Sequence, residues 1–73
     1  MVTKRLNFGF AIKTLREEGG LSQNKLAGLS GITQPMLSYI EKNKRIPSAQ
    51  IIFQISKALG VAEQRIYDLA TIE

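Results

Sequence analysis

The stretch from Leu21 to Asn43, LSQNKLAGLSGITQPMLSYIEKN, constrains the fold more than any other part of the sequence. It reads as two short helices joined by a tight turn, where Gly31 tolerates the positive φ that a sharp turn requires. Ser22 and Thr33 are N-cap residue types at the two helix starts, and Pro35 is acceptable because it falls in the first turn of the second helix. The sequence therefore predicts a helical pair that the rest of the chain holds in place.

Apolar residues recur at helical spacing along nearly the whole chain, and no stretch alternates with period two, so we expect an all-α fold of five helices. The first helix is expected over about Leu6–Glu18, the fourth between Ser48 and Gly60, and the fifth over about Glu63–Leu69, followed by a loose tail from Ala70. The residues expected to face inward are Phe8, Ala11, Ile12, Leu15, Leu26, Ala27, Leu37, Ile40, Ile52, Ile55, Ala58, Leu59, Ile66 and Leu69.

Several small residues affect the predicted helices. Gly9 should cost the first helix about 1 kcal/mol relative to Ala. Gly19 and Gly20 should end that helix in the left-handed conformation, and Asn43 can end the third helix in the same way. Ala62 is a weak N-cap, so the fifth helix is expected to fray.

Composition limits the possible functions. The 73 residues make one small domain, and the absence of Cys and His excludes disulfides and the usual zinc sites, so no cofactor or metal is expected. No glycine-rich phosphate loop or paired carboxylates point to an enzyme, and no small-molecule ligand is evident. No apolar run approaches the roughly 20 residues of a membrane span, and we expect a cytoplasmic, nucleoid-associated protein. The net charge of +4 suits a polyanion, although many small domains carry such a charge for solubility alone.

The second helix of the pair has a polar edge that suits contact with DNA. Leu37 and Ile40 mark its buried side, and the opposite side carries Gln34, Pro35, Ser38, Tyr39 and Lys42. Glutamine pairs with the N6 and N7 atoms of adenine, and apolar atoms pack on the thymine methyl group. The alternative interpretation is a face that is simply solvated.

Features on either side of this edge favour a nucleic-acid partner. The first helix of the pair starts at Ser22 and Gln23, and a helix N-terminus offers free N–H groups and partial positive charge to a phosphate. The loop Lys42–Arg45 places three cations directly after the second helix. A steep crossing of the two helices would let the second enter a major groove while the first straddles the backbone.

The chain resembles the helix-turn-helix family of phage lambda repressor and Cro, also called the XRE family, from about Phe8 to Leu69. The residues that carry the resemblance are Ile12, Leu15, Arg16, Leu21, Ser22, Gln23, Leu26, Ala27, Gly31, Ile32, Leu37, Ser38, Ile40, Glu41, Pro47, Ala58, Leu59, Gly60 and Val61. The resemblance implies a compact five-helix lambda-repressor-like fold, with helices two and three as the helix-turn-helix, in a single domain 1–73 whose core spans about 6–70.

The resemblance also implies roles for individual positions. The base-facing or near-base positions are Thr33, Gln34, Pro35, Met36 and Tyr39. The expected phosphate contacts are Ser22, Gln23, Ser38, Lys42, Asn43, Lys44 and Arg45. Arg16 and Glu41 match a pair that forms a structural salt bridge between helices one and three. The chain departs from the family pattern where Asn43 replaces a common glycine, where Ala62 replaces a capping serine, and where Pro35 occupies a reading position without a side-chain hydrogen bond.

These observations predict a sequence-specific regulator of transcription that binds double-stranded DNA at a palindromic operator as a homodimer. Repression is the first expectation for its action, and activation is the alternative. Phe53, Tyr67 and Ile72 are candidate dimer contacts, with completion of the core as the alternative. A second hypothesis is a protein-interaction or antitoxin-like adaptor built on the same bundle. An acidic or apolar face on helix three would favour that hypothesis, and this face is neither.

Overall fold

The computed structural model describes residues 6–71, which form five α-helices without a strand in that range. The helices are α1 (Phe8–Glu18), α2 (Gln23–Ser30), α3 (Gln34–Glu41), α4 (Ala49–Leu59) and α5 (Glu63–Ala70). The all-α, five-helix fold predicted from the sequence is therefore confirmed. Among these described residues, no helix combines the length and the apolar character that crossing a membrane requires.

Side-chain caps explain where most of the helices begin. The side chains of Asn7, Ser22, Thr33 and Ser48 each accept a hydrogen bond from the backbone N–H three residues later, at 2.9 to 3.2 Å. Because Asn7 caps α1, this helix starts two residues later than the predicted start. Ala62 precedes α5 without a side-chain cap, as the sequence indicated.

Left-handed residues were predicted at the ends of α1 and α3. The structure has them at Gly20 and Asn43. Gly19 has a φ of −82° and stays right-handed, and the left-handed residue after α1 is Gly20, with a φ of 71°. The prediction was therefore wrong for Gly19. Asn43 has a φ of 58° and follows α3, where the N–H of Lys44 reaches the carbonyl of Tyr39 at 2.9 Å. An asparagine can adopt this conformation because its short polar side chain bonds locally.

The core lies where the inward faces of all five helices meet. Its largest fully buried side chains are Ile12, Leu26, Leu37, Ile40, Ile52, Ile55 and Ile66. Ala58, Leu59 and Leu69 are only partly buried at the edge of this core. Ala70 is 1% exposed and its carbonyl accepts a hydrogen bond from the N–H of Asn7 at 2.8 Å. The expectation of a loose tail from Ala70 was therefore wrong for this residue, because it packs in the last turn of α5.

Candidate nucleic-acid interface

Helix α3 is anchored on one side and exposed on the other. Leu37 and Ile40 have no exposed surface, which fixes the buried side of the helix. On the remaining surface, Thr33, Pro35 and Tyr39 are exposed, whereas Gln34, Met36 and Ser38 are half-buried. Met36 packs against the edge of the core. The predicted reading face thus has its most open residues at Thr33, Pro35 and Tyr39, with Gln34 partly covered.

An ion pair joins α1 to the end of α3. Arg16 Nε lies 2.7 Å from Glu41 Oε2, and Arg16 Nη2 donates to Glu41 Oε1 at 3.1 Å. The Glu41 side chain is 3% exposed, so it points inward and not toward a partner. Arg16 Nη1 also donates to the carbonyl of Leu21 at 2.8 Å. The hydrogen bond to Glu41 raises the pKa of Arg16, against the opposing effect of burial.

Two glutamines extend this ion pair to the start of α3. Gln23 Nε2 donates to Glu41 Oε1 at 3.0 Å, and Gln34 Nε2 donates to Gln23 Oε1 at 2.8 Å. Gln23 and Gln34 are the first residues of α2 and α3. The sequence placed both residues on the DNA side but missed their bond to each other and to Glu41. The sequence signal that could have predicted this contact is that each glutamine occupies the first position of its helix.

The segment after α3 contains the predicted phosphate contacts. Lys42, Lys44 and Arg45 are exposed, which leaves three cations at the surface next to the end of the helix. Asn43 is exposed as well, but its side chain is used within the protein. Its Oδ1 accepts from the N–H of Gly9 at 3.0 Å, and its Nδ2 donates to Asn7 Oδ1 at 2.7 Å. The three charged residues are therefore the better candidates for phosphate contact.

At the start of α2, the predicted contact residues Ser22 and Gln23 have internal partners as well. The Ser22 hydroxyl accepts from the N–H of Lys25 at 3.0 Å, so its oxygen caps the helix while its O–H can still be donated. Ser22 is exposed and Gln23 is half-buried. This helix start can accept a phosphate through these two side chains without breaking the cap.

Gly9 forms a close contact between α1 and α3 that sequence reasoning missed. It is buried, and a Cβ added there would meet the backbone carbonyl oxygen of Glu41 and, at 2.9 Å, Asn43 Oδ1. The helix-propensity argument treated Gly9 as a weakness of α1. The structure shows that the absence of a side chain lets α1 approach the end of α3.

The three candidate dimer contacts have different surroundings. Phe53 is 43% exposed on α4, with Lys57 Nζ 5.3 Å from the centre of its ring. Tyr67 is half-buried and meets Phe8 edge to face, with 5.6 Å between the ring centroids. That contact favours the alternative in which Tyr67 completes the core. Ile72 lies outside the described residues.

Comparison with known proteins gives a consistent family of relatives. The sequence model of the helix-turn-helix family matches residues 12–66. The control protein C.BamHI of Bacillus amyloliquefaciens is 38% identical over 69 residues, covering 93% of this chain and 85% of the relative. An uncharacterized HTH-type transcriptional regulator of Mycobacterium tuberculosis is 41% identical over 64 residues, or 88% of this chain. The chain spans only 46% of the length of that mycobacterial relative.

Solved structures share the fold. The restriction-modification controller protein C.AhdI from Aeromonas hydrophila superposes with a TM-score of 0.82 at 31% identity, covering 85% of this chain and 94% of that one. The wild-type controller protein C.Esp1396I superposes with a TM-score of 0.80 at 30% identity, covering 88% of this chain and 84% of the other. The structural likeness therefore spans most of both molecules in each comparison.

Proposed function

We propose that this chain, which belongs to the helix-turn-helix family, is a sequence-specific DNA-binding regulator of transcription. The family match and the solved structures confirm the resemblance to lambda-repressor-type proteins. In the proposed complex, α3 enters the major groove while the start of α2 contacts the backbone. We propose that the protein acts in the cytoplasm, on the nucleoid.

The arrangement of α3 and the segment after it is the observation that carries this proposal. One side of α3 is wholly buried through Leu37 and Ile40, so the other side has a fixed orientation toward solvent. Thr33 and Tyr39 are exposed on that side, and the cations of residues 42–45 follow at once along the chain. A polar surface next to clustered positive charge matches the base edges and the flanking phosphates of a duplex.

The names of the relatives support a regulatory role of the controller type. Two solved neighbours are named restriction-modification controller proteins, and C.BamHI is named a control protein. We propose that this chain acts in the same general way, by occupying an operator near the genes that it controls. Repression is the action we propose first, because a protein bound across a promoter can exclude RNA polymerase without any further contact.

We further propose that the protein binds a palindromic operator as a homodimer. One helix that reads about four base pairs is not selective in a genome, and two half-sites about 34 Å apart supply the missing specificity. Phe53 is the first candidate for the dimer contact because its ring is substantially exposed. Tyr67 is the weaker candidate, since its ring already packs on Phe8.

Selection of binding sites from random duplexes tests both proposals. The expected result is an enriched sequence with two-fold symmetry, bound by two protomers when stoichiometry is measured by sedimentation. Enrichment of no sequence would contradict specific DNA binding and favour the adaptor hypothesis. One protomer on a palindromic duplex would contradict the homodimer and leave the DNA-binding proposal intact.

A further inference from the structure

Glu41, Gln23 and Gln34 are joined by two successive hydrogen bonds. Glu41 determines which atom donates and which atom accepts in each of them. The Glu41 carboxylate, paired with Arg16, only accepts hydrogen bonds. The Gln23 atom that lies 3.0 Å from Glu41 Oε1 must therefore be the amide nitrogen. This orientation turns Gln23 Oε1 toward Gln34, and Gln34 must in turn present its own amide nitrogen at 2.8 Å.

This order of donors and acceptors determines which groups Gln34 has left for DNA. One N–H of Gln34 is used on Gln23, so its Oε1 and a second N–H remain. In the major groove, adenine offers an amino donor at N6 and an acceptor at N7, whereas guanine offers two acceptors at O6 and N7. One acceptor and one donor match adenine. The reversed amide would present two N–H groups, which match guanine.

We propose that Glu41 is a positioning residue for base recognition, which makes Gln34 select adenine over guanine by fixing the amide orientation of Gln23. This inference rests on the proposed function, in which Gln34 faces a base. The second N–H of Gln23 Nε2 stays available for a phosphate, which is also only an acceptor. The Glu41 carboxylate thus serves recognition as well as the fold, whereas Arg16 serves the fold alone.

Two substitutions that break the same ion pair separate these roles. Glu41→Gln keeps the shape of the side chain but supplies a donor as well as an acceptor, so the orientation of Gln23 is no longer fixed. Arg16→Gln is the matched control, because it breaks the ion pair and keeps the carboxylate. The measured quantity is the ratio of the Kd values for guanine and adenine at the position that Gln34 reads, in otherwise identical duplexes.

The wild type should prefer adenine by about tenfold or more. Glu41→Gln should lower this ratio by about tenfold, the effect of one hydrogen bond to a charged group, whereas Arg16→Gln should leave the ratio unchanged. Equal losses in the two variants would show that the ion pair acts only through stability. An unchanged ratio in Glu41→Gln, or a wild-type preference for guanine, would equally overturn the proposal.

A third variant covers the case in which the ion-pair variants do not fold. Gln23→Ala removes both hydrogen bonds of the Gln23 side chain while leaving Arg16 and Glu41 paired, so it should lower the ratio as Glu41→Gln does. An unchanged ratio in folded Gln23→Ala protein would overturn the proposal. Gln34→Ala identifies the position that is read. If Gln34→Ala weakens preference at no position, the base-reading role itself fails; if it does and Glu41→Gln does not, only the positioning role fails.

Discussion

Replacing Gly9 by alanine should destabilise the protein, although helix propensity alone favours the change. Alanine in place of glycine in a helix interior gains about 1 kcal/mol. At this position, however, the new methyl group would meet the carbonyl oxygen of Glu41, which belongs to the backbone and cannot rotate away. The methyl would also lie 2.9 Å from Asn43 Oδ1, the acceptor for the N–H of Gly9. The structure therefore predicts a loss of stability for Gly9→Ala, whereas the sequence alone predicts a gain.

The expected size of the effect follows from three contributions. Forcing extra volume into a packed contact costs about 1 to 3 kcal/mol. Loss of the hydrogen bond from Gly9 to Asn43 adds about 1 kcal/mol. The gain in helix propensity offsets at most about 1 kcal/mol, because Gly9 is only the second residue of α1, so the net loss is at least about 1 to 3 kcal/mol. For a domain of this size, each 1 kcal/mol lowers the Tm by about 4 to 8 °C.

Gly28 provides a matched control for this prediction. It lies within α2, is exposed, and an added Cβ there would have nothing within 4 Å. Gly28→Ala should therefore raise stability by up to about 1 kcal/mol. Thermal and urea unfolding followed by circular dichroism measures both variants against the wild type. A Gly9→Ala Tm equal to or above that of the wild type would refute the argued contact between α1 and α3.

Three further substitutions test the interface and one helix start. Gln34→Ala should cost about 1 to 3 kcal/mol of binding free energy on the selected site and relax the preference at one base position. Gln64→Ala on α5 is the control and should do neither. An equal loss of affinity for random DNA would contradict base reading. Lys44→Ala should weaken binding to all duplexes and reduce the slope of log K against log salt concentration by about one unit. Arg65→Ala is the charge-matched control. An unchanged slope for Lys44→Ala would show that Lys44 does not touch phosphate. Ala62→Ser should raise the unfolding free energy by about 1 kcal/mol, because residue 62 already has the extended conformation of an N-cap. An unchanged Tm would count against residue 62 as the N-cap of α5.

The sequence was sufficient to predict the helices and most of the core, because apolar spacing records which face of a helix is buried. Ile12, Ile40 and Ile55 were predicted to face inward, and none has exposed surface. The limits of helices were less certain, since a cap depends on the geometry of one side chain. Asn7 shows this, because its capping bond to Phe10 moves the start of α1.

The polar contacts of the candidate site could not be predicted in the same way. Helical spacing indicated a DNA-facing position for Gln34, and the helix start indicated one for Gln23, but their hydrogen bonds depend on how α2 and α3 cross. The contact of Gly9 with Asn43 joins residues 34 positions apart, and no local pattern records such a distance. Glycine in a helix is also ambiguous, since Gly9 and Gly28 look alike in sequence and differ completely in what surrounds them.

The contacts at both ends of α3 lead to a second expectation for Gly9→Ala. The helix start is tied to α2 through Gln34, and its end is tied to α1 through Glu41 and through Asn43 beside Gly9. A methyl group at Gly9 would push on the end of α3 and on the cation-rich segment after it, without touching DNA itself. Folded Gly9→Ala protein should therefore bind all duplexes more weakly, while Gly28→Ala protein binds as the wild type does. Unchanged affinity in folded Gly9→Ala protein would mean that the apolar core alone positions α3 for DNA.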